Sequence, residues 1–181
     1  MDYQIGIIAR LPGDPAPLLQ RAADVLAAAR TAGLTVIHVM VVFRPGHPEI
    51  GQHNLLFSEL KQAGRFTSDD PNSAIHPAVS PQPGDMVVAK RRVSAFADSD
   101  LELILRARGI DTLVLFGIAT SGVVLSTIRQ AADADYRLIV LSDLCADRDN
   151  DVHRCLLEKI FPRQAEVIMA AAFIQSLRAG K

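Results

Sequence analysis

Cysteine and tryptophan are scarce in this sequence. Its 181 residues include two cysteines, Cys145 and Cys155, and no tryptophan. The two cysteines form no C-x-x-C pair and cannot supply a disulfide framework. We interpret both as reduced, mostly buried thiols, and a reactive thiol stays open as the alternative.

Excess charge and long apolar runs are also missing. The formal net charge is −1, and acidic and basic residues are interspersed, so no basic face indicates nucleic-acid binding. The longest apolar runs, such as residues 35–43, are far below the roughly 20 residues that cross a bilayer. The start does not resemble a signal peptide, because Asp2 and Gln4 interrupt the required apolar segment. We predict a soluble, cytoplasmic protein that binds neither nucleic acid nor membranes.

Motifs for cofactors and metals are absent as well. The chain has no Gly-x-Gly-x-x-Gly motif and no Walker lysine loop, so no nucleotide cofactor is indicated. Its five histidines do not follow a metal-ligand pattern such as H-E-x-x-H. We predict no metal and no cofactor. His47 and His53 could still line a site or bind a metal with Glu49, although we favour ordinary surface-loop histidines.

What the chain does contain is a regular alternation of strand and helix patterns. Predicted strands cover residues 3–9, 34–43, Met86–Lys90, 112–116, 137–142 and 166–169, and predicted helices cover 15–33, 54–62, 99–108, 121–134, 150–160 and 170–177. Such alternation favours parallel pairing through right-handed crossovers, with helices on both faces. We therefore predict one domain over residues 1–181 with an α/β fold, a three-layer α/β/α sandwich around a mostly parallel sheet.

A long segment, residues 44–83, carries no strong periodicity apart from one short helix and is rich in proline and glycine. A segment of this length inside a compact domain is usually functional. We expect it to form a wall or lid over a pocket.

Two stretches are predicted to lie at the carboxyl ends of parallel strands, where open sheets bind ligands. Lys90 ends an apolar strand and suits acid–base work or the binding of an anion, and a solvated basic turn is the alternative. The loop of residues 117–122 leads into a helix, and its N–H groups favour an anion or a developing oxyanion. A plain turn capped by Thr120 or Ser121 explains the same loop. Asp2 is either a proton acceptor or a terminal surface residue.

Taken together, three motifs resemble a known family. These are D-x-Q from Asp2, V-V-x-K-x-x-x-S-A-F around Lys90, and G-I-A-T-x-x-x-V from Gly117. The order resembles the isochorismatase-like hydrolases, the cysteine hydrolase superfamily that includes nicotinamidases and N-carbamoylsarcosine amidase. The resemblance implies a Rossmann-like fold, a homo-oligomer (dimer or tetramer), and a small-molecule substrate at the carboxyl edge of the sheet.

The resemblance also implies a catalytic triad of aspartate, lysine and cysteine. The cysteine thiolate attacks an amide or related bond, the aspartate takes its proton, and the lysine supports the charge. Lys90 matches the family lysine and Asp2 matches the aspartate. A cis peptide bond is implied between Ile118 and Ala119. Residues implied to contact the substrate are Phe96, Ile118, Ala119, Gly122 and Val123.

The sequence departs from the family at the nucleophile, because the cysteine position holds Val123. Ser121 is either a substitute nucleophile or a helix cap, and we favour the cap. Because isochorismatases themselves lack the cysteine and hydrolyse a vinyl ether with activated water, a missing thiol is compatible with catalysis. We predict a hydrolase of an amide, urea or vinyl ether that uses activated water, with Asp2, Lys90 and Ser121 as catalytic candidates. The alternative is an inactive relative that only binds a small molecule.

A second departure concerns the amino terminus. The family aspartate ends a central first strand, whereas only Met1 precedes Asp2 here. Either residues 5–9 replace that strand, or residues 5–11 form a loop and Asp2 keeps the family position. We prefer the second arrangement, with the hypothesis that Met1 is an internal start of a longer reading frame.

Overall fold

The computed structural model describes residues 1–179 as helices packed on both faces of parallel strands. The strands are β1 (Ile37–Val41), β2 (Met86–Lys90), β3 (Thr112–Leu115), β4 (Arg137–Leu141) and β5 (Glu166–Ile168). The helices are α1 (Ile5–Ile8), α2 (Ala16–Thr31), α3 (Leu55–Gln62), α4 (Leu101–Ala107), α5 (Leu125–Asp133), α6 (Asn150–Cys155) and α7 (Ala170–Ala179). The predicted three-layer α/β/α architecture is confirmed.

Two apolar clusters show where the layers meet. One lies between the strands and helices α4 to α6, with Leu105, Ile128 and Leu156 among its members. The other lies on the opposite face, where Val25 of α2 and Phe173 of α7 pack. Because apolar helices cover both faces, the strands read as continuous rather than alternating apolar runs.

The strands hydrogen-bond in two groups. Parallel pairing joins β1 to β2, with Ile37 opposite Met86, and it joins β3, β4 and β5 in that order. Within the described residues, β1 and β3 each pair with a strand on one side only. The first two residues of the chain lie between these two edges.

The predicted strand at residues 3–9 is wrong. Residues Ile5–Ile8 form a single helical turn, and Ile8 is buried against α2. A short apolar run fits a buried turn as well as a strand, so periodicity could not separate the two. The preferred arrangement, in which the chain turns away after Asp2, agrees with the structure.

The long segment 44–83 is anchored at the carboxyl end of β1. Phe43 pairs with Thr67 in an isolated parallel bridge, and a third apolar cluster includes Phe43, Ile50, Phe57 and Phe66. Helix α3 begins at the Asn54 cap, whose side chain accepts from the Phe57 N–H group. The segment is therefore packed as a wall at the edge where β1 and β2 end.

Candidate active site

An ion pair lies at the carboxyl ends of β1 and β2. Lys90 is the last residue of β2, and its Nζ lies 2.8 Å from Asp2 Oδ2. The side chains are 2% and 7% exposed. The Lys90 ammonium also donates to the carbonyl of Arg92 at 3.1 Å. The two residues that the resemblance paired are thus in direct contact.

Local backbone geometry brings Asp2 to this position. Its N–H group donates to the Val39 carbonyl at 2.7 Å, which fixes it beside β1. Asp2 adopts a left-handed conformation with φ 56°, a region in which aspartate is tolerated better than most residues. The chain therefore turns at Asp2 after running between the strands.

The Asp2 carboxyl group is electrostatically unusual. Burial raises its pKa above the ordinary value, and the Lys90 ammonium opposes that rise. Its second oxygen, Oδ1, is buried and has no hydrogen-bond partner among residues 1–179. A carboxylate with one oxygen on an ammonium and one without a hydrogen-bond partner keeps lone pairs that can accept a proton.

Gln4 supports this turn, a role that the motif D-x-Q had not revealed. Its side chain donates to the carbonyls of Val41 and Ser73 at 2.9 and 2.7 Å, and it accepts from the Val41 N–H group at 2.9 Å. Gln4 is fully buried. It therefore ties the amino-terminal turn to β1 and to the wall.

The loop after β3 approaches the same place from the other side. The Ile118 N–H group donates to the Met1 carbonyl at 3.2 Å, and the Ile118–Ala119 peptide bond is cis, as the resemblance implied. A Cβ atom on Gly117 would lie 2.7 Å from the Met1 carbonyl oxygen. Glycine is therefore required where the loop passes the first residue.

Val123 occupies a buried position behind this loop. It is 2% exposed, and its Cγ1 atom lies 3.3 Å from where a Gly117 Cβ would be. Val123, which the resemblance aligned with the family cysteine, is thus next to the Met1–Gly117 contact, and its side chain cannot ionise.

Ser121 and Thr120 do not cap the following helix. The turn of residues Thr120–Val124 has no side-chain cap, so the predicted capping role is wrong. Thr120 Oγ1 instead contacts His153 Nδ1 at 2.8 Å, and the Ser121 N–H group donates to Asp147 at 2.7 Å. Ser121 is exposed. Its role as a nucleophile stays a prediction.

The other residues predicted to contact the substrate differ in burial and in location. Ile118 is buried, while Ala119 and Gly122 are partly exposed on the loop. Phe96 lies in the core, where its ring packs against Tyr136 at a centroid distance of 5.8 Å. Ser94 and Ala95 of the same motif bind Gln130 and Thr127 of α5. This motif therefore fixes the loop after β2 against a helix.

The cysteines and histidines also have defined environments. Cys145 is buried, and burial raises the pKa of its thiol to about 12, while Cys155 is exposed. His53 is exposed as expected, but His47 is buried and contacts the Arg65 carbonyl at 2.7 Å. The surface interpretation is therefore wrong for His47.

Residues 1–179 contain no group of three or more metal-ligating side chains that could hold an ion.

A cavity of about 590 Å³ lies away from this ion pair. It is lined by residues of β1 and β3 and by Met1. Neither Asp2 nor Lys90 belongs to the residues that line it.

No helix within the described part of the chain is long and apolar enough to span a membrane.

Comparison with known proteins decides the family. Residues 1–172 match the Isochorismatase domain. The chain belongs to the isochorismatase family. Its members include hydrolases, and the chain is 31% identical to the maleamate amidohydrolase of Pseudomonas putida over 88% of this chain and 74% of that protein. It is 33% identical to the ureidoacrylate amidohydrolase RutB of Methylobacterium radiotolerans over 89% of this chain and 67% of that protein.

Solved structures of the isochorismatase family agree with this assignment. An isochorismatase family protein from Burkholderia thailandensis superposes with a TM-score of 0.86 at 32% identity, over 98% of this chain and 92% of that chain. A cysteine hydrolase from Pseudomonas syringae pv. phaseolicola gives a TM-score of 0.89 at 28% identity, over 99% and 91% of the two chains. Sequence and structural similarity thus identify the chain as an isochorismatase-family hydrolase.

Proposed function

We propose that this isochorismatase-family protein hydrolyses a small amide, urea or vinyl ether with activated water, and that Asp2 is the general base. The observation that carries the proposal is the Asp2–Lys90 pair, in which Oδ2 binds the ammonium and Oδ1 is free among the described residues. Similarity to two amidohydrolases favours an amide or urea within this set.

In the proposed reaction with an amide or urea, the Asp2 carboxylate accepts a proton from water as the water oxygen attacks the carbonyl carbon. The protonated carboxyl then gives the proton to the leaving nitrogen as the carbon–nitrogen bond breaks. The products are an amine or ammonia together with a carboxylic acid from an amide, or a carbamic acid from a urea. Lys90 keeps the carboxylate ionised and oriented, since an adjacent ammonium favours the charged form.

Val123 supports water rather than a thiol as the attacking group. Its side chain has no proton to lose and no lone pair, and Cys145 is buried with a thiol that is protonated at neutral pH. Thiolate is the reactive form of cysteine. Ser121 is the remaining nucleophile candidate.

Purified wild-type protein would be tested on a panel of amides, ureas and vinyl ethers beside Asp2→Asn, Lys90→Ala and Ser121→Ala. We expect Asp2→Asn to lower the rate at least about 100-fold, in line with loss of a general base, and Ser121→Ala to retain it. Lys159→Ala, at an exposed position, is the matched control for Lys90→Ala. Equal rates in wild type and Asp2→Asn would rule the mechanism out.

The second candidate is a small-molecule-binding protein without turnover. Burial of both Val123 and the ion pair favours it. A ligand that binds only the folded state raises the apparent melting temperature without chemistry. A compound from the panel that stabilises the protein and is recovered unchanged after long incubation would support this candidate and contradict the hydrolase.

A further inference from the structure

The loop after β3 is held from its outer side by the segment that connects β4 to α6. The Thr120 N–H group donates to the Ala146 carbonyl at 2.9 Å, and the Ser121 N–H group donates to Asp147 Oδ2 at 2.7 Å. Burial raises the pKa of Asp147, but hydrogen bonds from Ser121 and from the N–H groups that follow Asp147 outweigh this and lower it below the ordinary value. Asp147 therefore holds the loop as a carboxylate at neutral pH.

A third contact to this loop joins two side chains. Thr120 is fully buried, and its Oγ1 atom lies 2.8 Å from Nδ1 of His153 on α6. His153 is the hydrogen-bond partner of this hydroxyl among residues 1–179. A buried hydroxyl without an acceptor is destabilising. The Thr120 hydroxyl therefore donates to Nδ1, and the imidazole is neutral with its proton on Nε2.

The surroundings of His153 favour this neutral form. Burial lowers the pKa of the half-buried ring below its ordinary value of 6.5, and the Asp147 carboxylate opposes that shift. The turn of residues Thr120–Val124, which packs against α6, carries no charged side chain. The charged residues that neighbour His153 in the sequence are exposed to solvent: Arg148, Asp149, Asp151, Arg154, Glu158 and Lys159. His153 thus becomes charged in acidic solution, and its charge faces the Asp147 carboxylate.

Protonation of His153 reverses the bond to Thr120. Both ring nitrogens of an imidazolium are donors, so Nδ1 then donates to Thr120 Oγ1 and no longer accepts from it. The hydroxyl hydrogen loses its acceptor although it is fully buried, and buried polar groups are normally paired. The charged ring therefore weakens the contact that fixes Thr120.

Thr120 in turn fixes the part of the loop that reaches the candidate site. The Gly122 N–H group donates to the Ala119 carbonyl at 3.1 Å, which closes the turn around Thr120. The Ile118 N–H group donates to the Met1 carbonyl, beside the proposed general base. A shift of Thr120 is therefore transmitted to Ala119 and Gly122, two of the predicted substrate contacts.

We propose that His153 is a positioning residue of the candidate active site. Its neutral imidazole accepts the Thr120 hydroxyl and holds the loop after β3 in the arrangement that binds the substrate, and protonation of the ring releases that hold. The role in turnover rests on the proposed hydrolase function. The coupling between the ring and the loop does not need turnover, so failure of the proposed function and failure of this assignment are distinguishable.

NMR spectra of the 181-residue chain between about pH 5 and pH 8, a range that includes the ordinary histidine pKa, test the coupling directly. In wild type, the amide shifts of Ala119 and Gly122 should change with the same midpoint as the His153 ring. In His153→Asn, whose side-chain oxygen accepts a hydrogen bond without titrating, this change should disappear. His53→Asn, at an exposed position, is the matched control and should keep it. Loop amides that do not follow the His153 ring in wild type would overturn the proposal.

Rates on the substrate panel give a second readout. The ratio of kcat near pH 5 to kcat near pH 7.5 should be about twofold or more higher in His153→Asn than in wild type, because the variant keeps the acceptor in acid. Thr120→Val removes the hydroxyl and should lower kcat at neutral pH about tenfold or more through misplacement of the loop, whereas Thr120→Ser should retain most of it. Equal acid-to-neutral ratios in His153→Asn and wild type would contradict the proposal, as would equal rates in the two Thr120 variants.

Discussion

The Lys90 ammonium and the Asp2 carboxylate lie 2.8 Å apart, and both side chains are almost wholly shielded from water. Desolvation of two charges costs several kcal/mol, and mutual attraction offsets that cost only while both partners are present. The pair therefore couples the stability of the sheet edge to the group that we propose as general base.

Removal of one partner should destabilise the protein more than removal of both. Lys90→Met leaves a buried carboxylate without its ammonium, and a loss of about 3–5 kcal/mol is expected in urea unfolding. The double variant Asp2→Asn with Lys90→Met should lose less than the sum of the single changes, because the residues are in contact. Lys159→Met is the exposed control. Strict additivity would mean that the pair is not coupled.

The value of kcat/KM for hydrolysis should decrease as the pH is lowered. Only the ionised Asp2 carboxyl accepts a proton, and burial raises its pKa above the ordinary value of 3.8. The rate is therefore expected to decline at a pH above the ordinary range of a carboxyl. In Lys90→Met the decline should move to higher pH, because the ammonium opposes the rise. An unchanged profile in that variant would contradict the assigned roles.

Stability should increase between about pH 6 and pH 8 through the Met1 amino group. Burial lowers its folded-state pKa from 8.0 to about 6, so the unfolded chain binds more protons in this window. The unfolding free energy therefore rises with pH there, by on the order of 2 kcal/mol, and the contribution is lost as pH falls through 6. Thermal unfolding across this range measures the effect. Nα-acetylation, which removes the charge, should abolish this dependence.

Asp85 should stabilise the protein at neutral pH and lose that effect in acid. Partial burial raises its pKa, but hydrogen bonds from Arg30, the Gln82 N–H group and His38 outweigh this and lower it to about 2. Its contribution, on the order of 2 kcal/mol, is present above about pH 4 and lost towards pH 2. Asp85→Asn should remove this part of the acid dependence, whereas Asp69→Asn, at an exposed position, should leave it.

One cysteine should react in the folded protein. Cys155 is exposed, whereas Cys145 is buried and its pKa is raised to about 12. Alkylation near pH 8 should label one thiol per chain quickly and the second only after unfolding, because thiolate is the reactive form. In Cys155→Ser the fast label should disappear. Two fast labels in the native protein would show that Cys145 is accessible.

The layer architecture was predictable because strand and helix periods are local properties of the sequence. β2 was predicted with its observed ends, Met86 and Lys90, and most other elements within a few residues. The first strand was not, because Ile5–Ile8 is apolar in either conformation. The turn at Asp2 decides between them, and it depends on the contact of Asp2 with Val39 and of Gln4 with Val41.

The candidate site was predictable only through motifs. The resemblance paired Asp2 with Lys90 across about half of the chain length, which no periodicity can do. The burial of His47 depends on tertiary contact with Arg65 and Phe43, and sequence spacing carries no signal for that. The core position of Phe96 has the same origin, since it follows from packing against Tyr136.

The three hydrogen bonds of the Gln4 side chain have one more consequence. Its amide group both donates to and accepts from Val41, as a peptide unit of a neighbouring strand would. The side chain thereby occupies both backbone groups of Val41 that point away from β2. Glutamate at this position would keep the acceptor and lose both donors, so the carbonyls of Val41 and Ser73 would face a carboxylate without a hydrogen bond.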